Sequence, residues 1–262
     1  MTHDIEVEVL PSPAAIGARL ADDIVAGIRA ATREGRAYVL GCPAGRTPLP
    51  IYAALSLRTR DLDLRALHLV MMDEFVERAG DGWRCVSTEQ HHSCLGFALR
   101  NIAAGLPGLP SGNLHAPDPE NPADYETLVA RLGGIDLFLL ASGATDGHVA
   151  FNPPGASLES RTRIVRLAEA TRQDNLSTFP DFRDIGAVPT HGVSVGLGTI
   201  AAHSRSVAMV LHGAHKAPAL ARLLALKQFD PAWPASVLYA CRAPRLIVDA
   251  TVAAALPAGV DV

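Results

Sequence analysis

Three groups of residues carry side chains that could do chemistry. In Asp146-Gly147-His148 a carboxylate and an imidazole stand two residues apart, a pair able to take up and deliver protons. Asp73-Glu74 sets two acids side by side, where one could be a general base and either could cap a turn or a helix. The third group suits an anion. Residues 41–48 read Gly-Cys-Pro-Ala-Gly-Arg-Thr-Pro, and backbone N–H groups in a glycine-containing loop before a helix hold phosphate well. Arg46 within that loop tilts the reading toward an anion. Lys216, in His212-Gly213-Ala214-His215-Lys216, opens a helix, where a cation opposes the helix dipole unless an anion faces it. Each group also has a plainer reading: Asp-Gly is a common turn dipeptide, short strand-to-helix turns are frequent, and a lysine can simply be solvated. His91 and His92 are adjacent and lack a third ligand at a metal spacing, so no metal site is expected. Cys42 stands near the loop without a neighbouring base and is not read as a nucleophile.

Buried strands must position these groups. Residues 135–141 form an apolar run broken only by Asp136, the pattern of a strand buried on both faces. Asp146 and His148 follow it, and ligands of open α/β sheets sit beyond the carboxyl ends of strands. Residues 37–40, 67–72, 206–211 and 246–249 read as further buried strands, the first two leading into the 41–48 loop and Asp73. A short strand is expected at 5–10, at a sheet edge, with others at 113–115 and 162–167 and one that the segment 188–196 enters. Ser12-Pro13 starts a helix that Gly35 ends. Further helices are expected at about 49–57, 91–103, 123–132, 170–179 and 198–203, and from 216 to about 227. Residues 78–89 are polar and glycine-bearing, which reads as a mobile lid. The Pro/Gly-rich stretch 105–122 is not a domain boundary, because the elements after it need the same sheet. The expectation is one α/β domain, 1–262, with a mostly parallel central sheet.

Composition excludes several classes. The chain has 262 residues, 48% hydrophobic, and a formal net charge of −4. That supports a sizeable core and, without a basic stripe, argues against nucleic acid as a partner. No apolar run reaches membrane-spanning length, and the start lacks the regions of a signal peptide. Four scattered cysteines without a C-x-x-C pair read as free thiols in the cytoplasm.

Taken in order, the motifs 41–48, Met72-Asp73-Glu74-Phe75, Asp146 to Asn152, Ser160 to Arg163, 188–199 and Gly213 to Ala217 resemble those of the glucosamine-6-phosphate isomerase/deaminases and their relatives, the 6-phosphogluconolactonases. Phe151-Asn152 and Ser160 to Arg163 resemble the deaminase branch more closely. The resemblance implies a modified Rossmann-like three-layer fold and an isomerase/deaminase-like hydrolase that turns an amino sugar phosphate into a ketose phosphate and ammonia. It implies Asp73 as the base between the first two sugar carbons, and Asp146 with His148 in ring opening. Ala44, Gly45, Arg46, Thr47 and Lys216 would hold the phosphate. No cofactor is implied, the partner is a small sugar phosphate, and homo-oligomerisation is left open. Four departures matter. Pro153 stands where deaminases carry a glutamate that joins the ring-opening group, and Ser177 falls near the position of a phosphate-holding arginine. Arg46 replaces a usually small loop residue and is read as the substitute cation. Ala156 and Val165 stand where deaminases with an effector site carry polar or basic residues. The missing acid keeps open a lactone hydrolase, in which His148 activates water, and a non-catalytic sugar-phosphate binder.

Overall fold

The computed structural model describes residues 5–260. Its centre is a sheet of seven strands: β1 (Val7–Leu10), β2 (Tyr38–Cys42), β3 (Leu67–Met71), β6 (Leu114–His115), β7 (Leu137–Leu140), β10 (Val207–Leu211) and β11 (Pro244–Asp249). Their order is β1-β11-β10-β7-β2-β3-β6, and every pairing is parallel. The short alternating strand β1 lies at an edge, as its pattern indicates. Side chains alternate between two cores. Leu40, Leu69, Leu139 and Val210 point into one, while Val39, Val70, Phe138 and Met209 point into the other. This period-two split of continuous apolar runs is what a sheet covered on both faces requires.

Helices cover both faces. α1 (Pro13–Arg33) and α2 (Leu49–Arg58) pack on one side with α3 (Cys94–Asn101). α4 (Pro122–Arg131), α6 (Leu197–His203), α7 (Ala217–Leu226) and α8 (Ala250–Ala254) contribute to the other. α1 begins as its sequence indicates: the Ser12 side chain accepts from the backbone of Ala15. It ends against Gly35, whose φ of +66° suits glycine. Asp136, the one charge in the 135–141 run, accepts from the Val39 amide and from Arg36. The result is a modified Rossmann-like three-layer α/β fold.

A second sheet departs from expectation. β4 (Asp73–Ala79), β5 (Gly82–Cys85), β8 (Arg163–Arg166) and β9 (His191–Ser194) pair antiparallel in the order β5-β4-β9-β8. The polar segment read as a mobile lid is therefore largely a hairpin, turning through Gly80 at φ +58°. Arg78 lies 4.0 Å above the Trp83 ring, and that ring packs on His191 of β9. Such polar strands are held by partners distant in sequence, which local periodicity does not reveal.

Glu74 resolves half of the acidic pair. Its buried carboxylate accepts from the Phe75, Cys94 and Leu95 amides and from the Ser93 hydroxyl, at 2.8–2.9 Å. It thus caps α3 from a neighbouring strand, serving N–H groups that the helix cannot satisfy itself. Glu74→Ala leaves those buried donors unpaired and should destabilise the protein by roughly 2–4 kcal/mol, with a smaller loss in Glu74→Gln. Denaturant midpoints of the two variants check the order.

Candidate active site

A cavity of about 380 Å³ opens at the carboxyl ends of β2, β3, β7 and β10. The segments leaving those strands bring Ala44 to Thr47, Asp73, His148 and Lys216 to its wall. Helix α5 (Glu169–Thr178) closes the remaining side with Asp174, Asn175, Ser177 and Thr178. The aromatic rings of Phe75, Phe151 and Phe179 add an apolar wall.

Asp73 begins β4 directly after Met72 and is only 6% exposed. Burial raises its carboxyl pKa to about 7. The Cys94 side chain opposes that rise by hydrogen bonding, Glu74 adds to it by repulsion, and His148 opposes it by attraction. A carboxylate held near neutrality in a cleft is poised as a proton acceptor.

Asp146 and His148 form a dyad. His148 Nδ1 lies 2.7 Å from Asp146 Oδ1, which also accepts from the His148 amide. The other carboxylate oxygen accepts from Thr171 of α5 at 3.3 Å. Burial alone would raise the Asp146 pKa, but the bonds from His148 and Thr171 hold it below the ordinary value. An ionised Asp146 fixes the tautomer with hydrogen on Nδ1 and leaves Nε2 as the basic nitrogen. Two positions of the turn admit no side chain. A Cβ at Gly143 would come within 2.2 Å of His148 Nδ1, and one at Gly147, where φ is +65°, within 2.4 Å of the Trp233 ring.

The anion residues also converge. Gly45, at φ +92°, and Arg46 face Lys216 across the cavity mouth. Lys216 Nζ donates to the Ser142 carbonyl at 2.7 Å. Burial lowers its pKa, Asp174 and Asp146 oppose the drop, and Arg46 adds to it. The expected helix start is displaced: Ala214–Lys216 is a single 3-10 turn and α7 begins at Ala217. Lys216 is therefore the N-cap of α7 and still stands at the positive end of its dipole. Ser177 lines the same cavity, so the position of the missing arginine and Arg46 share one space. His212 Nε2 lies 3.1 Å from the Thr47 carbonyl and braces the loop.

The remaining motif residues are structural. Asn152 is fully buried, donates to the Val149 and Val195 carbonyls and accepts from Arg163. Ser160 accepts from the Leu197 amide. Glu126, which no sequence pattern marked, accepts from Arg161, the Thr162 amide and Thr199. Pro153 lies outside the cavity lining and closes a turn to Ala156. Ala156 and Val165 are buried and apolar. Cys42 is fully buried with its thiol pKa pushed up to about 12, which makes it a poor nucleophile. His91 and His92 pack on Phe182. Among the described residues no group of three or more His, Cys, Asp or Glu side chains could hold a metal, and no helix is long and apolar enough to cross a membrane. Cys94, Thr171, Asp174, His212 and His215 were not singled out in the sequence. Cys94, Thr171 and Asp174 lie on segments whose only local signals are a helix cap or weak amphipathicity, while the two histidines flank Lys216 in the segment that its charge marks.

A sequence profile described as Glucosamine-6-phosphate isomerases/6-phosphogluconolactonase matches residues 11–248. The chain belongs to this family. It is 37% identical over 224 residues to a glucosamine-6-phosphate deaminase of Arthrobacter sp. (strain FB24), covering 82% of this chain and 79% of the relative. It is also 37% identical over 238 residues to one of Mycolicibacterium smegmatis, covering 89% and 86%. Among solved structures it is similar to a monomeric glucosamine-6-phosphate deaminase, with a TM-score of 0.83 and 27% identity over 96% of this chain and 100% of that one. A 6-phosphogluconolactonase from Shewanella baltica OS155 shares the fold at a TM-score of 0.70 and 17% identity, covering 95% and 100%. The cavity of this chain is lined by the acid Asp73 of Met72-Asp73-Glu74-Phe75, by His148 and by the lysine of the Gly213 to Ala217 motif, while Asp146 stands behind His148 outside the lining.

The Asp73 environment makes a stability prediction. Folding raises its pKa from about 3.9 to about 7, so the folded protein binds a proton that the unfolded chain has lost. Stability therefore falls as pH rises through that window and stays lowered above it. Asp73→Asn removes the ionisation and should be more stable than wild type at pH 8, by on the order of 1–4 kcal/mol. The gain should shrink toward zero near pH 4, as followed by thermal melts across pH.

Proposed function

We propose that the protein converts an amino sugar phosphate and water into a ketose phosphate and ammonia. The observation that carries this reading is a buried carboxylate with a pKa of about 7, Asp73, in one cavity with His148, which Asp146 backs through Nδ1, and with the cations Arg46 and Lys216. The relatives named as glucosamine-6-phosphate deaminases support the same chemistry. His148 Nε2, with Asp146 behind Nδ1, handles the proton of the ring oxygen as the sugar opens. Asp73 then removes the proton from C2 and returns it to C1. Water attacks the resulting C2 imine and releases ammonia. The phosphate lies against the loop from Ala44 to Thr47, between Arg46 and Lys216. The family's description is of isomerases, which fits the C2-to-C1 proton transfer; the broader hydrolase label is not carried by the relatives' names.

Pro153 supports a second reading, hydrolysis of a sugar lactone, because that reaction does not need the absent acid. His148 would then activate water against the lactone carbonyl. Incubation with amino sugar phosphates and sugar lactones in parallel separates the two: ammonia and ketose phosphate mark the first, and acid release from lactone alone marks the second. Saturable binding without turnover marks a non-catalytic binder.

With Pro153 in place of the acid, glucosamine 6-phosphate should be turned over slowly, with kcat/KM below ~10⁴ M⁻¹s⁻¹. Asp73→Asn should lower turnover by a further two to four orders of magnitude, roughly the range for a lost general base, with little change in substrate affinity. Undiminished turnover in that variant removes Asp73 from the chemistry.

The phosphate assignment has its own check. Arg46→Ala and Lys216→Ala should each weaken binding of a phosphorylated sugar by about 1.5–3 kcal/mol, the scale of a charged hydrogen bond. The unphosphorylated sugar should be nearly indifferent. Equal losses for both ligands by calorimetry would exclude a phosphate contact.

A further inference from the structure

One face of α5 ties the two ends of the site together. Thr171, Asp174, Asn175 and Thr178 stand at i, i+3, i+4 and i+7 of this helix, the spacing that sets side chains in one row. Asp174, Asn175 and Thr178 line the cavity. Thr178 meets the anion loop, where a Cβ at Gly45 would lie 3.3 Å from its methyl carbon. Asn175 Nδ2 donates to the Thr171 carbonyl at 2.8 Å. Thr171 is wholly buried, and its hydroxyl donates to Asp146 Oδ2 at 3.3 Å. The Asp146 carboxylate is thus gripped from two sides. Oδ1 accepts from the amide of His148 at 3.1 Å and lies 2.7 Å from its Nδ1, both groups of the same turn. Oδ2 is reached from a separate element. The last torsion of an aspartate is broad, so a carboxylate bonded through one oxygen can still rotate, and a donor on the second oxygen sets its plane.

We propose that Thr171 is a positioning residue for the Asp146–His148 dyad: its hydroxyl, carried by α5, fixes the plane of the Asp146 carboxylate and through it the direction of His148 Nε2. This rests on the reading of His148 as the group that handles the ring-oxygen proton. The bond from Thr171 is longer than the roughly 2.5–3.0 Å usual between oxygens. It therefore directs the carboxylate while taking little of its charge, which stays available to hold the hydrogen on Nδ1. The charged groups facing the dyad from other elements are Asp73 at the start of β4 and Lys216 at the N-cap of α7. A neutral hydroxyl adds no charge to this set, so its contribution is geometric.

The test compares wild type, Thr171→Val and Thr171→Ser. Valine keeps the shape and removes the hydroxyl, and serine keeps the hydroxyl and removes the methyl. On an amino sugar phosphate, Thr171→Val should lower kcat by about five- to thirtyfold, the scale of one lost orienting bond, with KM changed by less than about twofold. Thr171→Ser should stay within about threefold of wild type. Equal losses in the two variants mark a packing role for the methyl and overturn the proposal, as does an undiminished kcat in Thr171→Val. The ring Nδ1–H proton of His148, assigned by NMR through its loss in His148→Gln, reads the same contact without turnover. Its exchange with water should be about five- to thirtyfold faster in Thr171→Val, because the dyad opens more often, and close to the wild-type rate in Thr171→Ser. An unchanged exchange rate in Thr171→Val overturns the proposal even in a fully active enzyme. Faster exchange in that variant while wild type releases no ammonia supports the contact and removes the deaminase reading instead. If Thr171→Val fails to fold, Thr171→Ala takes its place in both measurements.

Discussion

The chain changes sheets at Met72 without a loop. β3 is parallel and central, β4 is antiparallel and belongs to the second sheet, and one residue separates them. Met72 is bonded to both sides: its amide donates to Cys42 and its carbonyl accepts from Val195. A strand end normally opens into solvent. Here the next residue is carried straight into a second packed layer, so Asp73 is deprived of water. The raised carboxyl pKa, the helix cap from Glu74 and the placement of Cys94 all descend from that junction.

The rest of the cavity balances charge around that acid. Asp146 is kept ionised by His148 and Thr171, although it too is largely withdrawn from water. At the other end Arg46, Lys216 and His215 surround Asp174, each influencing the protonation of its neighbours. Two neighbouring carboxylates thus hold opposite tendencies, Asp73 half-protonated near pH 7 and Asp146 charged. Paired groups with diverging pKa values are the usual arrangement for moving protons both ways.

Much of this was legible in the sequence, for identifiable reasons. The central strands β2, β3, β7 and β10 are largely apolar runs, because they are buried on both faces, and a glycine or an acid follows each within three residues of its end or lies at it. Asp73, Asp146, His148, Lys216 and the 44–47 loop therefore come to one edge of the sheet. The second sheet was not legible. Asp73 to Ala79 mixes acids, a phenylalanine and an arginine, and its partner strand β9 lies far along the chain. Nor does the sequence say which of two adjacent acids caps and which faces the cavity, since that depends on where α3 packs. Thr171 and Asp174 were hidden on a short, mostly polar helix, where a side chain serving a carboxylate looks the same as one facing solvent.

Trp233 has a consequence of another kind. Its indole, 8% exposed, lies against Gly147 in the turn between Asp146 and His148. The chain's other tryptophan, Trp83, lies in the hairpin beneath Arg78. One natural fluorophore is thus packed on the turn that carries Asp146 and His148 and the other on the second sheet. Emission from the first follows the turn's local polarity and packing, and emission from the second follows the hairpin, so the molecule carries separate optical gauges for its two sheets without any added label.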